Sequence, residues 1–282
     1  MINFVVALQA EANPIIDHYR LKQERNSRFP VYSTEQASSE QTVLIISGMG
    51  RNMASAATAY LAATRSVDVL INVGIAGHRT RALGTLMTAS KITESATGKQ
   101  WFPVHIKSPL ETENVTTFDQ LQTSYKADRL HEMEASGFYE TALRFTIAEL
   151  AHSIKIVSDN EDHPVETFDR SQVESLVANK LDKISIFAQH LCQLAAVIQP
   201  ADADQLIESY LQQWKFTVTQ KHQLQRLLQR RSALGIKSPA ATEADSILRQ
   251  TGKISHIKAA LSSSKEILRW LQSDTDARAE FY

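Results

Sequence analysis

The chain has 282 residues, 43% of them hydrophobic, with 30 basic and 31 acidic side chains and a formal net charge of −1 at pH 7. That length and apolar fraction suit one large domain or one domain with an appendage, and the balanced charge excludes a global attraction for nucleic acid or an anionic membrane. One cysteine, Cys192, excludes an internal disulfide or a cysteine-cluster metal site and fits a reducing cytoplasm; it lies in an apolar run and reads as a small core residue.

In chain order, residues 1–8 carry no basic leader and read as a buried strand, Phe4 to Leu8, rather than a signal peptide. No apolar run reaches the ~18 residues needed to span a bilayer. A helix boundary is expected between Ala10 and Asn13, with Pro14 in the first turn and the helix continuing through Tyr19. Glu11 then stands at the carboxyl end of a strand, the edge where ligands collect in open α/β sheets. Residues 22–41 are polar, with a short strand near Val31. Thr42 to Ser47 is an apolar strand, followed by Gly48-Met49-Gly50-Arg51-Asn52 and an alanine-rich helix, Met53 to Thr64. Glycines between a strand and a helix let backbone N–H groups approach an anion. Neither a third fingerprint glycine nor a Walker lysine follows, which excludes nicotinamide cofactors and nucleoside triphosphates.

A second buried strand, Asp68 to Val73, is expected to turn through Gly74-Ile75-Ala76-Gly77, and Leu83 to Thr93 reads as a further strand or pair. Residues 95–128 read as irregular, with Thr112 to Phe118 as a surface loop. His131-Glu132-Met133-Glu134-Ala135-Ser136-Gly137 places Glu134 at the start of a helix that begins near Ala135 and continues through the apolar stretch Tyr139 to Leu150, where unpaired N–H groups favour a carboxylate. A strand from His152 to Val157 brings Asp159 to its end. Asp162 and His163 match no trusted metal-ligand spacing, so no metal is expected. Ser171 to Ile198 is helical. The division expected is 1–199 for the α/β region and 200–282 for a helical extension. There, Asp202 is a cap, five cations between Trp214 and Arg231 form a solvated basic face, and helices lie near Thr242–Arg249 and Ile254–Leu271.

Glu11, Ser47-Gly48-Met49-Gly50, Asn72-Val73-Gly74-Ile75-Ala76-Gly77, Glu132-Met133-Glu134-Ala135 and Ser158-Asp159 occur in the order found in the purine nucleoside phosphorylase and nucleosidase superfamily. Over roughly residues 1–175 the chain resembles that superfamily, and in particular the methylthioadenosine/S-adenosylhomocysteine nucleosidases. The resemblance implies a three-layer α/β/α fold with a central mixed, largely parallel sheet, and cleavage of a nucleoside's N-glycosidic bond. It makes Asp159 the acid that assists the leaving purine at N7 and Glu11 the residue that activates water. Glu134 then binds ribose hydroxyls, Met133 packs on the sugar, Gly77 lies near the ligand through its backbone, and Glu132 supports. Such chemistry is sound, since oxocarbenium character grows on the sugar while negative charge grows on the base.

Two positions depart from the pattern: Lys155 stands where these nucleosidases carry arginine, and Ile75 replaces a small hydroxyl residue. Hydrolysis of a purine nucleoside or a 5′-modified relative is the leading expectation, without a cofactor and in a homodimer. Gly48, Gly50, Arg51 and Lys155 keep an anion or positioning role open. A phosphorylase with phosphate as co-substrate is therefore one alternative. The other is a nucleoside-binding protein without turnover that meets a protein partner through its helical extension.

Overall fold

The strands that carry the acids are apolar on both faces, which is what a sheet covered by helices on each side requires. The computed structural model describes the chain except residues 36–40, 107, 109, 165–168, 199–202, 251–260 and 280–282. Residues Met1–Cys192 form one compact unit and Gln193–Tyr282 a second.

In the first unit, β1 (Ile2–Val6) leads to α1 (Gln9–Tyr19), then to β2 (Lys22–Gln23), β3 (Val31–Ser33) and β4 (Thr42–Ile46). Next come α2 (Arg51–Thr64), the ten-residue β5 (Val69–His78), β6 (Leu86–Glu94), β7 (Gln100–Trp101) and β8 (Glu111–Thr117). The unit continues with β9 (Leu130–Glu132), α3 (Ala135–Ala142), β10 (Ala151–Asp159), α4 (Arg170–Ala178) and the part of α5 (Leu181–Ile198) up to Cys192.

These strands build one mixed sheet in the order β10-β6-β8-β9-β5-β1-β4-β3-β2, with β10 also paired to β5, so part of it closes into a ring. β4, β1, β5 and β10 are parallel neighbours, in register at Val5↔Ile45, Phe4↔Ile71 and Asn72↔Ser153. Asn72 fastens three of them together: its amide donates to Val5 O, and its carbonyl accepts from the Ser153 hydroxyl. On one face Val5, Ile45, Leu70 and Val157 pack against Ala54, Ala57 and Leu61 of α2 and Phe138 and Ala142 of α3. Phe4 meets Tyr19 of α1, and His152 meets Phe187 of α5. Each such fully buried Leu, Ile or Phe contributes ~1.5–3 kcal/mol.

The second unit holds α6 (Ala203–Gln213), α7 (Val218–Ala233), α8 (Ala241–Gln250) and α9 (Leu261–Ala279), around a core that includes Tyr210, Trp214, Leu224, Leu248 and Leu271. Thr217 caps α7 through Gln220 N. No helix among the described residues is long and apolar enough to cross a membrane.

Several sequence expectations need correction. The chain does not turn at Gly74–Gly77; β5 runs on to His78 because β10 pairs with it as far as Gly77 and β9 pairs with Gly77 and His78. The stretch read as irregular contains β7 and β8, and β8 runs parallel to β6 with Val115, Thr116 and Thr117 buried. α1 starts at Gln9, so Pro14 lies inside it, and α2 starts at Arg51. α3 ends at Ala142, with a 3₁₀ turn at Ala148–Leu150 beyond it. Arg231 is not on a solvated face: it is buried, bonded to Asp274, Ser238, Thr275 and the Lys237 carbonyl. The Asp202 cap and the start of the helix expected at Ile254 lie outside the described residues.

Candidate active site

The parallel order β1-β5-β10 sets the carboxyl ends of three strands side by side; Glu11, after β1, and Asp159, at the end of β10, share one cavity of about 270 Å³ with Glu134, which follows β9. Its lining includes Glu11, Ile75, Gly77, Met133, Glu134 and Asp159, together with Glu132, Ser158 and His131. Met49 and Leu121 also line it and are largely exposed.

Glu11 reaches back from the first turn of α1. Its Oε2 accepts from the backbone N–H groups of Ala7 and Leu8, both at 2.9 Å, and its Oε1 from Ile75 N at 3.0 Å. Burial raises its pKa, while the nearby Lys155 ammonium and those three donors pull the other way. Gly74 makes room for this arrangement, since a Cβ there would lie 2.9 Å from Glu11 Oε1 and 3.3 Å from Lys155 Nζ.

The two acids of Glu132-Met133-Glu134 part company at the helix start. Glu132 caps α3, with Oε2 accepting from Glu134 N at 2.9 Å and Ala135 N at 2.8 Å; it also takes the Thr117 hydroxyl and the Lys155 ammonium. Glu134 turns to the other helix, where its Oε1 accepts from Gly50 N at 2.9 Å, at the first turn of α2. Burial is the main force that pushes the Glu134 carboxyl up to about 7; Lys155 opposes it, and the charge of Glu132 adds to it.

Lys155 projects from β10 among these carboxylates, 2.9 Å from Glu132 and 3.9 Å from Glu134. Burial alone would lower its pKa, but Glu132, Glu134 and Glu11 outweigh that and hold it above its ordinary value. At the other end, Asp159 Oδ1 accepts from the Ser158 hydroxyl, and burial raises the carboxyl to about 6. A group with that pKa carries a usable proton near neutrality.

Gly48, Gly50, Arg51 and Lys155 are not among the cavity's lining residues. Gly50 N already donates to Glu134, and the Arg51 guanidinium pairs with Glu94 and, at 2.8 Å, with Asp119. No group of His, Cys, Asp and Glu suited to a metal occurs among the described residues.

Sequence reasoning missed His131, Gln120 and Gln122 as lining residues. All lie in or next to the connection between β8 and β9, which carries no periodic pattern to announce it. Thr117, dismissed with a surface loop, holds both Glu132 and the N–H of Ser136.

A mixed sheet with helices on both faces and acids gathered at the ends of parallel strands defines a nucleoside phosphorylase-type fold. Residues 2–115 match the sequence model of the phosphorylase superfamily, as the motif resemblance implied. Among solved structures, the chain is similar to the apo 5′-methylthioadenosine nucleosidase of Arabidopsis thaliana, at 17% identity over 66% of this chain and 95% of that one, TM-score 0.55. It is also similar to the 5′-methylthioadenosine/S-adenosylhomocysteine nucleosidase of Neisseria meningitidis in complex with methylthio-immucillin-A, at 19% identity over 66% and 96%, TM-score 0.53. A futalosine hydrolase mutant of Helicobacter pylori aligns at 12% identity over 67% and 98%, TM-score 0.51. No curated protein matches the chain in sequence.

Proposed function

We propose that the first unit hydrolyses the N-glycosidic bond of a purine nucleoside or a 5′-modified purine nucleoside. The observation that carries this reading is the convergence of Glu11, Glu134 and Asp159, from three distant parts of the chain, on one cavity that Met133 also lines. Asp159 gives its proton to the purine as the C–N bond breaks and its electron pair leaves with the base. Glu134 accepts hydrogen bonds from the ribose hydroxyls, and Glu11 orients the attacking water and takes its proton as the oxygen bonds to the sugar carbon. Lys155 acts on the carboxylates rather than on the ligand. The reaction needs no metal or organic cofactor, and it takes place in a homodimer in the cytoplasm.

Phosphorolysis is the weaker alternative, because the groups expected to hold phosphate already hold carboxylates. A screen of purine nucleosides for base release, with and without phosphate, decides between them. Free sugar released without phosphate supports hydrolysis, while strict phosphate dependence with a sugar 1-phosphate product rejects it. Sedimentation tests the dimer; a monomer at high concentration counts against it.

One feature favours a second reading, nucleoside binding without turnover. Both Glu11 oxygens are engaged by backbone donors, and Ile75 brings an apolar side chain to the cavity beside them. That reading predicts thermal stabilisation by nucleoside with no base released, and binding that survives Glu11→Ala.

A further inference from the structure

β5 ends at His78, one residue past Gly77, and the His78 side chain is only 1% exposed. Its Nδ1 accepts from the backbone N–H groups of Thr80 and Arg81, both at 3.1 Å. With Nδ1 an acceptor, the one proton of the neutral ring sits on Nε2, which faces the Glu113 carboxylate of β8 at 3.6 Å. The imidazole therefore folds residues 79–81 back over the end of the strand, as the side chain of an Asx turn does.

The carbonyls of that turn hold the chain that leaves β10. Arg81 O accepts from the Asn160 side-chain amide at 2.8 Å, and Arg79 O accepts from Glu161 N at 3.1 Å. Asn160 Oδ1 in turn accepts from His163 N at 2.8 Å, and His163 O from Asn160 N at 3.0 Å, which closes the loop after the strand on itself. Asp159 is the last residue of β10 and the last to pair with β5. Its backbone is fixed from one side by Gly77 and from the other by a loop bonded to the turn that His78 shapes. We infer that His78 is a positioning residue for Asp159: by accepting from Thr80 and Arg81 it sets the two carbonyls that anchor Asn160 and Glu161, and so aims the preceding carboxyl into the cavity. The inference rests on the nucleosidase reading for its role in turnover. Neither His78 nor Asn160 lines the cavity, so both act through Asp159.

The charges around the ring keep it in that role. Glu113 of β8, Arg81 of the turn itself, and Asp128 and His131 at β9 are the groups that act on it. Arg81 is paired with Glu111 and Glu113, and Asp128 with Arg79 and the Thr80 hydroxyl. Burial lowers the His78 pKa, against the pull of the Glu113 carboxylate, and Arg81 adds to the lowering. The ring therefore stays neutral at neutral pH, and Nδ1 keeps its lone pair for the two backbone donors.

His78→Leu removes the acceptor and frees the turn, whereas His78→Asn offers a carbonyl oxygen near the place of Nδ1. In the leucine variant kcat for base release is expected to fall on the order of 10–100-fold, the cost of a misplaced catalytic group, with KM nearly unchanged. His78→Asn restores most of that loss. Asn160→Ala cuts the same link from its other end, so adding it to His78→Leu costs little more than either change alone. Amide hydrogen exchange of the full chain gives a readout apart from turnover: the Glu161 N–H exchanges faster in His78→Leu and returns toward the wild-type rate in His78→Asn. Far-ultraviolet circular dichroism and Tm establish that each variant is folded. Unchanged kcat and Glu161 exchange in a folded His78→Leu, an asparagine variant as slow as the leucine one, or additive losses in the double variant overturn the inference while the nucleosidase reading stands. If His78→Leu does not fold, Asn160→Ala carries the test, and full activity in it overturns the inference. If the wild-type protein releases no base from any nucleoside, that reading fails, and Glu161 exchange still decides whether His78 holds the segment after Asp159.

Discussion

Lys155 Nζ lies 2.9 Å from Glu132 Oε2, and both side chains are only 1% exposed, so the ammonium and the carboxylate form a buried pair linking β10 to β9. Glu132 caps α3, and α3 begins one residue after Glu134. The lysine therefore holds in place the segment that presents Glu134 to the cavity.

Removing that cation leaves Glu132 uncompensated, with Glu134 and Glu11 close by. Lys155→Met is expected to cost about 3–5 kcal/mol in urea unfolding, the range for breaking a buried pair from one side. Lys155→Arg retains the charge and is expected to cost less, although the space beside Gly74 is tight. A loss below about 1 kcal/mol in the methionine variant would show that the pair does not hold this region.

Glu134 titrates in the folded protein at about 7, above its ordinary value of 4.5. A carboxyl raised in the folded state binds its proton more tightly there than in the unfolded chain. Its contribution is therefore fully present below about 4.5 and is lost as pH rises through about 7. The loss is on the order of 3 kcal/mol at most. Asp159, raised to about 6, acts with the same sign. Glu134→Gln is expected to flatten the fall in Tm between pH 4.5 and 7. Parallel wild-type and variant curves would refute the assignment.

Gly77→Ala puts a methyl group 2.5 Å from both the Tyr125 hydroxyl and Asp159 Oδ2, so one of them must move. Overpacking of this kind costs about 1–3 kcal/mol. Base release should fall much further than stability, because the displaced group is the acid or its neighbour. Equal kcat in wild type and Gly77→Ala would disprove the crowding at this notch.

In the second unit, Arg231→Met strips the Lys237 carbonyl and Asp274 of a buried donor. A loss of about 2 kcal/mol or more is expected there. Hydrogen exchange in α7 and α9 of the full chain measures it, and unchanged protection would mean that the guanidinium is dispensable.

The apolar runs at Phe4, Thr42, Asp68 and His152 announced the parallel strands, because a sheet covered on both faces needs unbroken hydrophobic sequence. Glu11, Glu134 and Asp159 could then be placed at strand ends, and the structure gathers them. The path of β5 was misread, since Gly74 and Gly77 look like turn residues. They stay in the strand because the space a Cβ would fill belongs to Glu11 and Lys155 at one glycine and to Tyr125 and Asp159 at the other. β8 was hidden for a related reason: Glu111-Thr112-Glu113-Asn114 is polar and half exposed, so only its last three residues look like a buried strand. Tyr125 lies in a connection without periodicity, where pattern carries no information about contact.

The pairing of β10 with β5 closes the ring of strands, and it joins segments far apart in the chain; the Ser153–Asn72 bond that fastens it spans 81 residues. Contacts of such long range form late and slowly in folding, since a large loop must be closed before they are rewarded. The Glu134–Gly50 bond spans 84 residues and the Glu11–Ile75 bond 64, so the carboxylates of the cavity reach their final places only as contacts of this range close. A refolding chain is expected to gain its helices first and its assembled cavity last, so recovery of the cavity times the closure of these long-range contacts.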